Sequence, residues 1–337
     1  VTALVIAGGW GYENLGDEAI LAGYLEFLYG RTDLRVASSN PNKTLRAQRG
    51  FGAVIAEGRK ARAEILLIGG GGYLNGGGGW KPEIVRKLWD LHTMARGKVV
   101  GHALEVRCIH GAIEERLFRS IFDGPELSVR DLDSKHEVRR LVGSEPDPPV
   151  VPDAIALLAP HLDRYGGIIR ELQGKIVLNF LDFPRRPDSH EAEVNGGHWA
   201  AYVRELSRAL GDNAVGLIMG AGDRRFLQWA APTLPLLEPA SVADLVSALR
   251  SARGVVSARM HPALLASALG TPAVSIPYCG KVTPTLRRIG VDDQILRALD
   301  VEMTLDLLSA QQPRHADAWL KAHDESGAWL ERSLGLS

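Results

Sequence analysis

A chain of 337 residues exceeds what one hydrophobic core usually holds, so two domains are expected. Lys plus Arg number 39 against 40 Asp plus Glu, which excludes a basic footprint for nucleic acid and makes any anion affinity a local property. With 45% hydrophobic and 23% charged residues the composition is that of an ordinary soluble protein, and no run approaches the roughly 18 apolar residues of a membrane span.

The first element is a strand over Ala3–Ala7, with no basic n-region or signal h-region before it. Together with only two cysteines, Cys108 and Cys279, this sets the expectation of a reducing, cytoplasmic location. Cys108-Ile109-His110 is too tight a spacing for a metal site and lacks partners, so no metal is expected. The strand runs into a glycine-rich segment, Gly8 to Gly16, and a helix beginning near Asp17 with Leu21, Leu25 and Leu28 on one stripe. Glycine lets the backbone approach a ligand, and a helix start offers free N–H groups. Neither a dinucleotide-binding nor a P-loop pattern is satisfied, because residue 14 is Asn and no Lys follows Gly16. Asp17 and Glu18 would repel phosphate. They suit sugar hydroxyls, or else they simply cap the helix. Gly11, Asn14, Asp17 and Glu18 are therefore candidate ligand contacts.

A second strand, Ile65–Ile68, leads into another cluster, Gly69–Gly72, then Tyr73-Leu74-Asn75 and Gly76–Gly79, before a helix from Pro82 to Ala95. Eight glycines in eleven positions are entropically expensive for a plain connector. The expectation is a mobile, ligand-facing loop with Gly70, Gly71 and Gly72 at its heart. Trp10, Tyr12 and Trp80 either stack on sugar faces or pack in the core. Strands at Val99–Gly101 and Leu127–Val129, interleaved with helices near Ile113–Phe122 and Asp133–Leu141, complete a doubly wound α/β pattern. The proline-rich segment Ser144–Pro152 interrupts it, and a domain join is expected at residues 160–172, near Gly166-Gly167.

The second series runs through Lys175–Phe180, a helix His198–Leu210, Ala214–Met219 and a helix Val242–Ser251. It ends in two β-rich runs, Gly254–Ala258 and Ala273–Ile276, flanking a helix with Pro262 in its first turn and Gly270 as its stop. The expected domains are thus 1–165 and 170–312. An amphipathic helix over Ala316–Leu334, carrying Trp319, Leu320, Ala328, Trp329 and Leu330, is expected to pack back on the first domain. Ligands of open parallel sheets bind at the carboxyl ends of the strands. Arg259 and His261 follow one such end and Lys281 the next, and neighbouring strands lie about 4.8 Å apart. One imidazole and two cations on a shared rim suit a small, multiply charged anion. Cys279 has no legible activating partner and reads as a spectator thiol.

Three segments together resemble the polysaccharide pyruvyl transferase family: GWGYENLGDEAIL at Gly9–Leu21, GGGG at Gly69–Gly72, and SARMHPALLASALGTPAVSIPYCGKV at Ser257–Val282. Leu127–Asp131 (LSVRD), with Ser134 after it, resembles the family's Ser-x-Arg-Asp strand end, and Pro152-Asp153 fits a further turn loosely. Three departures stand out. Gly101-His102-Ala103-Leu104-Glu105 replaces a Gly-Gln-Gly-Ile-Gly-Pro form, Pro262 replaces the usual Ala, and Cys279-Gly280 replaces Asp-Pro. His102 is carried as a candidate acceptor contact within the first.

The resemblance implies two facing Rossmann-like domains, as in B-type glycosyltransferases, with an N-terminal acceptor side and a C-terminal donor side. It further implies transfer of a pyruvyl group from phosphoenolpyruvate to a saccharide hydroxyl pair, forming a cyclic ketal in polysaccharide biosynthesis. Phosphoenolpyruvate would be a co-substrate, with no separate cofactor, and a lipid-linked acceptor would add peripheral membrane contact. Arg259 and Lys281 would hold the donor, with Arg130 facing them or, alternatively, forming an ion pair within its own domain. His261 would act as general acid and base.

The rivals are a nucleotide-sugar glycosyltransferase, a nucleotide-sugar epimerase and a non-catalytic glycan-binding homologue. Between Ser257 and Leu286 there is no Asp or Glu, which argues against the first.

Overall fold

Apolar runs too short for helices, alternating with amphipathic stretches of ten or more residues, become parallel strands and crossover helices. The computed structural model describes residues 4–49, 56–57, 61–77, 82–122, 126–143, 147–185, 192–310 and 315–336. It divides into two units, Val1–Leu158 with Lys321–Ser337, and Ala159–Leu320. No helix among the described residues is long and apolar enough to cross a membrane.

The first unit contains β1 (Leu4–Ala7), α1 (Leu15–Leu28), β2 (Leu34–Ala37), α2 (Pro41–Ala47), β3 (Ala56–Glu57), β4 (Ala63–Ile68), β5 (Gly71–Asn75), α3 (Pro82–Met94), β6 (Ala95–Arg107), α4 (Ala112–Ile121), β7 (Leu127–Val129) and α5 (Leu132–Val142). The strand order is β3-β2-β1-β4-β6-β5, with β7 also on β6, and every pairing is parallel. Helix α1 starts two residues earlier than expected because Asn14 is its N-cap, its side chain accepting the Gly16 N–H at 3.1 Å.

The second glycine cluster departs from expectation. Gly71–Asn75 is not a loop but strand β5, paired with the far half of β6 through Leu74–Val106 and Asn75–Arg107. Gly78, Gly79 and Trp80 lie outside the described residues. Strand β6 is thirteen residues long, exchanging β4 for β5 as its neighbour at a register shift near Gly101–Leu104. Ala103 there adopts φ +51°, a conformation few non-glycine residues tolerate.

The second unit contains β8 (Ile176–Asn179), α6 (Trp199–Leu210), β9 (Ala214–Leu217), α7 (Ala221–Ala230), β10 (Leu236–Leu237), α8 (Val242–Ser251), β11 (Gly254–Ser257), α9 (Met260–Ala268), β12 (Ala273–Ser275), α10 (Val282–Ile289) and α11 (Val301–Ala310). The last helix, α12 (Ala316–Leu334), returns the chain to the first unit at Lys321. The sheet is again parallel, in order β10-β9-β8-β11-β12.

The strand order turns back on itself between β1 and β4 in the first unit and between β8 and β11 in the second. At such a reversal the crossover helices diverge to opposite faces and leave a crevice beyond the carboxyl ends. In the first unit the two glycine clusters follow the two strands at this point. In the second, Asn179 ends one strand and Arg259 follows the other.

Candidate functional site at the strand reversals

In the first unit, the Asp17 carboxylate lies against the backbone of both clusters. A Cβ on Gly9 would come within 2.9 Å of its Oδ2, and one on Gly71 within 3.2 Å of its Oδ1. Gly71 has φ +88°, so the turn into β5 also requires glycine. Asn14 donates its amide to Asp17 Oδ2 at 2.9 Å, and both side chains are half-buried. These two polar groups reach the surface at the reversal.

Most other candidates of this unit are supports rather than contacts. Glu18 is only 2% exposed, and its carboxylate accepts the Gly11 N–H at 2.8 Å, the Thr44 hydroxyl at 3.2 Å and the Gln48 amide at 2.9 Å. Burial pushes its carboxyl above the usual range in spite of these three donors. The expectation that Glu18 meets sugar hydroxyls is corrected: it turns inward and fixes the loop. Gly11 is buried with φ +81°, and a Cβ there would lie 2.5 Å from the Asn40 nitrogen, so its role is also to build the turn. Gly70 is buried and donates its N–H to the Tyr24 hydroxyl at 3.0 Å, while Gly72 is half-buried in β5. Trp10 is fully buried, its ring occupying the space that a Cβ on Gly8 or Gly69 would take, whereas Tyr12 remains exposed.

His102 is likewise fully buried. Its Nδ1 is 2.7 Å from the Tyr24 hydroxyl, its Nε2 is 3.1 Å from the Ser326 hydroxyl, and its ring stacks on Trp329 at 5.3 Å. Burial pulls its pKa down to about 3, so the imidazole is neutral. It holds α12 rather than an acceptor, which corrects the expectation for this residue.

Arg130 is corrected in the same sense. Its guanidinium is 1% exposed, pairs with Asp153 at 2.9 Å and with Glu105, and has Asp131 at 3.7 Å. Burial alone would lower its pKa, but the three carboxylates outweigh it and hold the cation well above the usual range. Glu105 belongs to the departing Gly101–Glu105 segment, and its other oxygen accepts the Asn75 amide at 3.0 Å. The guanidinium is thus engaged by residues of its own unit.

In the second unit the last residues of three neighbouring strands, Asn179, Ser257 and Ser275, stand in register and are all fully buried. Arg259 is the N-cap of α9, His261 is half-buried in the first turn of that helix, and Lys281 is the half-buried N-cap of α10. All three follow the carboxyl ends of the adjacent strands β11 and β12. The hydroxyls of Ser275, Thr283 and Thr285 are buried without a hydrogen-bond partner among the described residues, at the end of β12 and in the first turn of α10. Cys279 is buried at 1% exposure.

Sequence reasoning missed two residues here. Asp223, in the first turn of α7 and fully buried, grips Arg259 side-on: Nε lies 2.8 and 3.1 Å from its two oxygens, and Nη2 lies 2.7 Å from Oδ1. Asn179 accepts the Arg259 N–H at 3.3 Å and the Ser257 hydroxyl at 3.2 Å. Absence of acids between Ser257 and Leu286 therefore does not mean absence of a carboxylate at Arg259. A polar residue closing the apolar run Ile176–Asn179, and an acid just after the Met219–Gly220 turn, were the available signals. Among the described residues no group of three or more His, Cys, Asp and Glu could hold a metal.

Two parallel Rossmann-like units with polar residues at the strand reversals define an α/β protein of GT-B-like fold. Solved structures with this fold include UDP-GlcNAc 2-epimerase from Methanocaldococcus jannaschii in complex with UDP-GlcNAc and UDP, with TM-score 0.59, 10% identity, and 100% of each chain covered. A second is S. aureus MnaA with UDP, with TM-score 0.59, 9% identity, and 100% of this chain and 98% of that chain covered. A third is UDP-GlcNAc 2-epimerase from Neisseria meningitidis, with TM-score 0.55, 10% identity, and 100% of each chain covered. At these identities the likeness is one of fold. The particular family is given by the sequence: the chain belongs to the polysaccharide pyruvyl transferase family, whose profile matches residues 14–280. No curated protein matches the sequence.

Proposed function

We propose that the chain moves a pyruvyl group from phosphoenolpyruvate to two hydroxyls of a saccharide, forming a cyclic ketal and releasing phosphate. The observation that carries this reading is the grouping of Arg259, His261 and Lys281 after adjacent strand ends, beside buried hydroxyls that have no hydrogen-bond partner among the described residues. Phosphoenolpyruvate bears a phosphate and a carboxylate on three carbons, and two cations with a helix start match that charge distribution.

In this reading protonated His261 delivers its proton to C3 of the enol, so C3 becomes a methyl group and C2 becomes electrophilic. A sugar hydroxyl adds to C2 and returns its proton to the imidazole. The C2–O bond to phosphate then breaks, a second hydroxyl closes the ring, and its proton leaves with the phosphate. No electrons change hands, so the sequence needs no redox cofactor. A general acid of this kind contributes ~10²–10⁴ in rate. Asn14 and Asp17 are the residues of the first unit assigned to saccharide hydroxyls, since between them they offer both donor and acceptor atoms.

The test is a mass-spectrometric screen of phosphoenolpyruvate with a panel of glycosides, reading for the gain of one pyruvate less one water. His261→Ala should abolish that product while leaving the thermal melt intact. Near-normal turnover in this variant would remove His261 from the mechanism. Stabilisation by UDP-sugars but not by phosphoenolpyruvate would overturn the reading itself.

A further inference from the structure

The geometry points to Asp223 as the positioning residue for Arg259, fixing the one orientation in which the guanidinium meets the donor's anion. This inference rests on the pyruvyl-transfer reading. An arginine beside a crevice has many rotamers and adds affinity only when one of them is selected beforehand. Here the selection is built in. The Nε–Nη2 edge is closed on Asp223 by contacts of 2.7 to 3.1 Å, which sets both the plane and the direction of the group. Arg259 is 22% exposed at its side chain whereas Asp223 is fully buried, so the carboxylate is the fixed partner and the guanidinium the presented one.

Asp223 is itself held from two sides. Its Oδ2 accepts the Met219 N–H at 3.0 Å and the Asn179 amide at 3.3 Å. Asn179 donates further to the Leu217 carbonyl at 2.9 Å, and its oxygen accepts the Arg259 N–H. The network therefore joins the ends of β8, β9 and β11 across the strand reversal, and seats Arg259 by both main chain and side chain. It also offsets one positive charge beside the donor, so recognition of the anion depends on direction more than on bulk charge.

The experiment measures phosphoenolpyruvate binding by calorimetry, which needs no acceptor, with a thermal melt for each variant. Asp223→Ala should weaken binding at least tenfold and Asp223→Asn by less, since the amide retains one acceptor oxygen. In an Arg259→Met background neither change should weaken binding further, because nothing remains to be oriented. A purely structural role would give the same loss in both backgrounds, or an unchanged Kd with a lower melt, and either result overturns the inference. Should the alanine variant fail to fold, the asparagine pair decides by the same criterion. If the unaltered protein binds no phosphoenolpyruvate, the pyruvyl-transfer reading falls and this inference with it. If the unaltered protein binds it and Asp223→Ala binds within twofold, only this inference falls.

Discussion

The Tyr24 hydroxyl lies 2.7 Å from Nδ1 of His102, a contact closed inside the first unit. Nε2 lies 3.1 Å from the Ser326 hydroxyl, and burial pulls the pKa of His102 down to about 3. The unfolded chain binds a proton on this imidazole near pH 6.5 while the native state refuses it, so the native state loses ground as pH falls from about 6.5 towards 3. Chemical denaturation across that window should show a slope of up to about 1.4 kcal/mol per pH unit. The slope should flatten in His102→Gln. An equal slope in that variant would mean that other groups carry the acid sensitivity.

Removal of Arg130 should act on stability and not on donor binding. Breaking a buried ion cluster by deleting its cation costs about 3–5 kcal/mol, because Glu105 and Asp153 lose the guanidinium that both of them grip. Arg130→Met should therefore melt much earlier, and the folded fraction should bind phosphoenolpyruvate with unchanged Kd. A weakened Kd at full folding would restore the residue to the donor site.

Lys281→Met should do the reverse. A charge-assisted contact to an anion is worth about 1.5–3 kcal/mol, so phosphoenolpyruvate binding should weaken roughly 10- to 100-fold with little change in the melt. The calorimetric Kd and the melt together separate this variant from Arg130→Met.

On the first unit, Asp17→Ala should raise the KM for the saccharide while leaving phosphoenolpyruvate affinity as it was. Glu18→Ala, by contrast, removes a buried acceptor from Gly11, Thr44 and Gln48 and should destabilise by about 1–3 kcal/mol. The neighbouring acids are thereby distinguished: one reads out in kinetics, the other in denaturation.

The alternation of strand and helix was legible because the apolar runs are clean: β7, α8 and α12 begin and end where the pattern places them. Strands β2 and β10 were not, since an arginine interrupts one and the other is two residues long. Strand β5 was hidden for another reason: glycine clusters read as loops, and only tertiary pairing with β6 extends this one. At the site, Arg259, His261 and Lys281 could be placed from strand ends alone. Inward and outward could not be told apart for Asp17 and Glu18, adjacent acids in one helical turn, because the difference lies in Thr44 and Gln48 arriving from α2. Asp223 escaped for the same physical reason, its partner being 36 residues away.

The cover over His102 is made of Ser326 and Trp329, residues of α12 that rejoin the first unit only after the whole second unit has intervened in sequence. The same helix packs Gly327 and His323 against Phe27. A fragment ending before Lys321 would lack these contacts, so a cut between the two units in sequence order strips the first unit of part of its own cover.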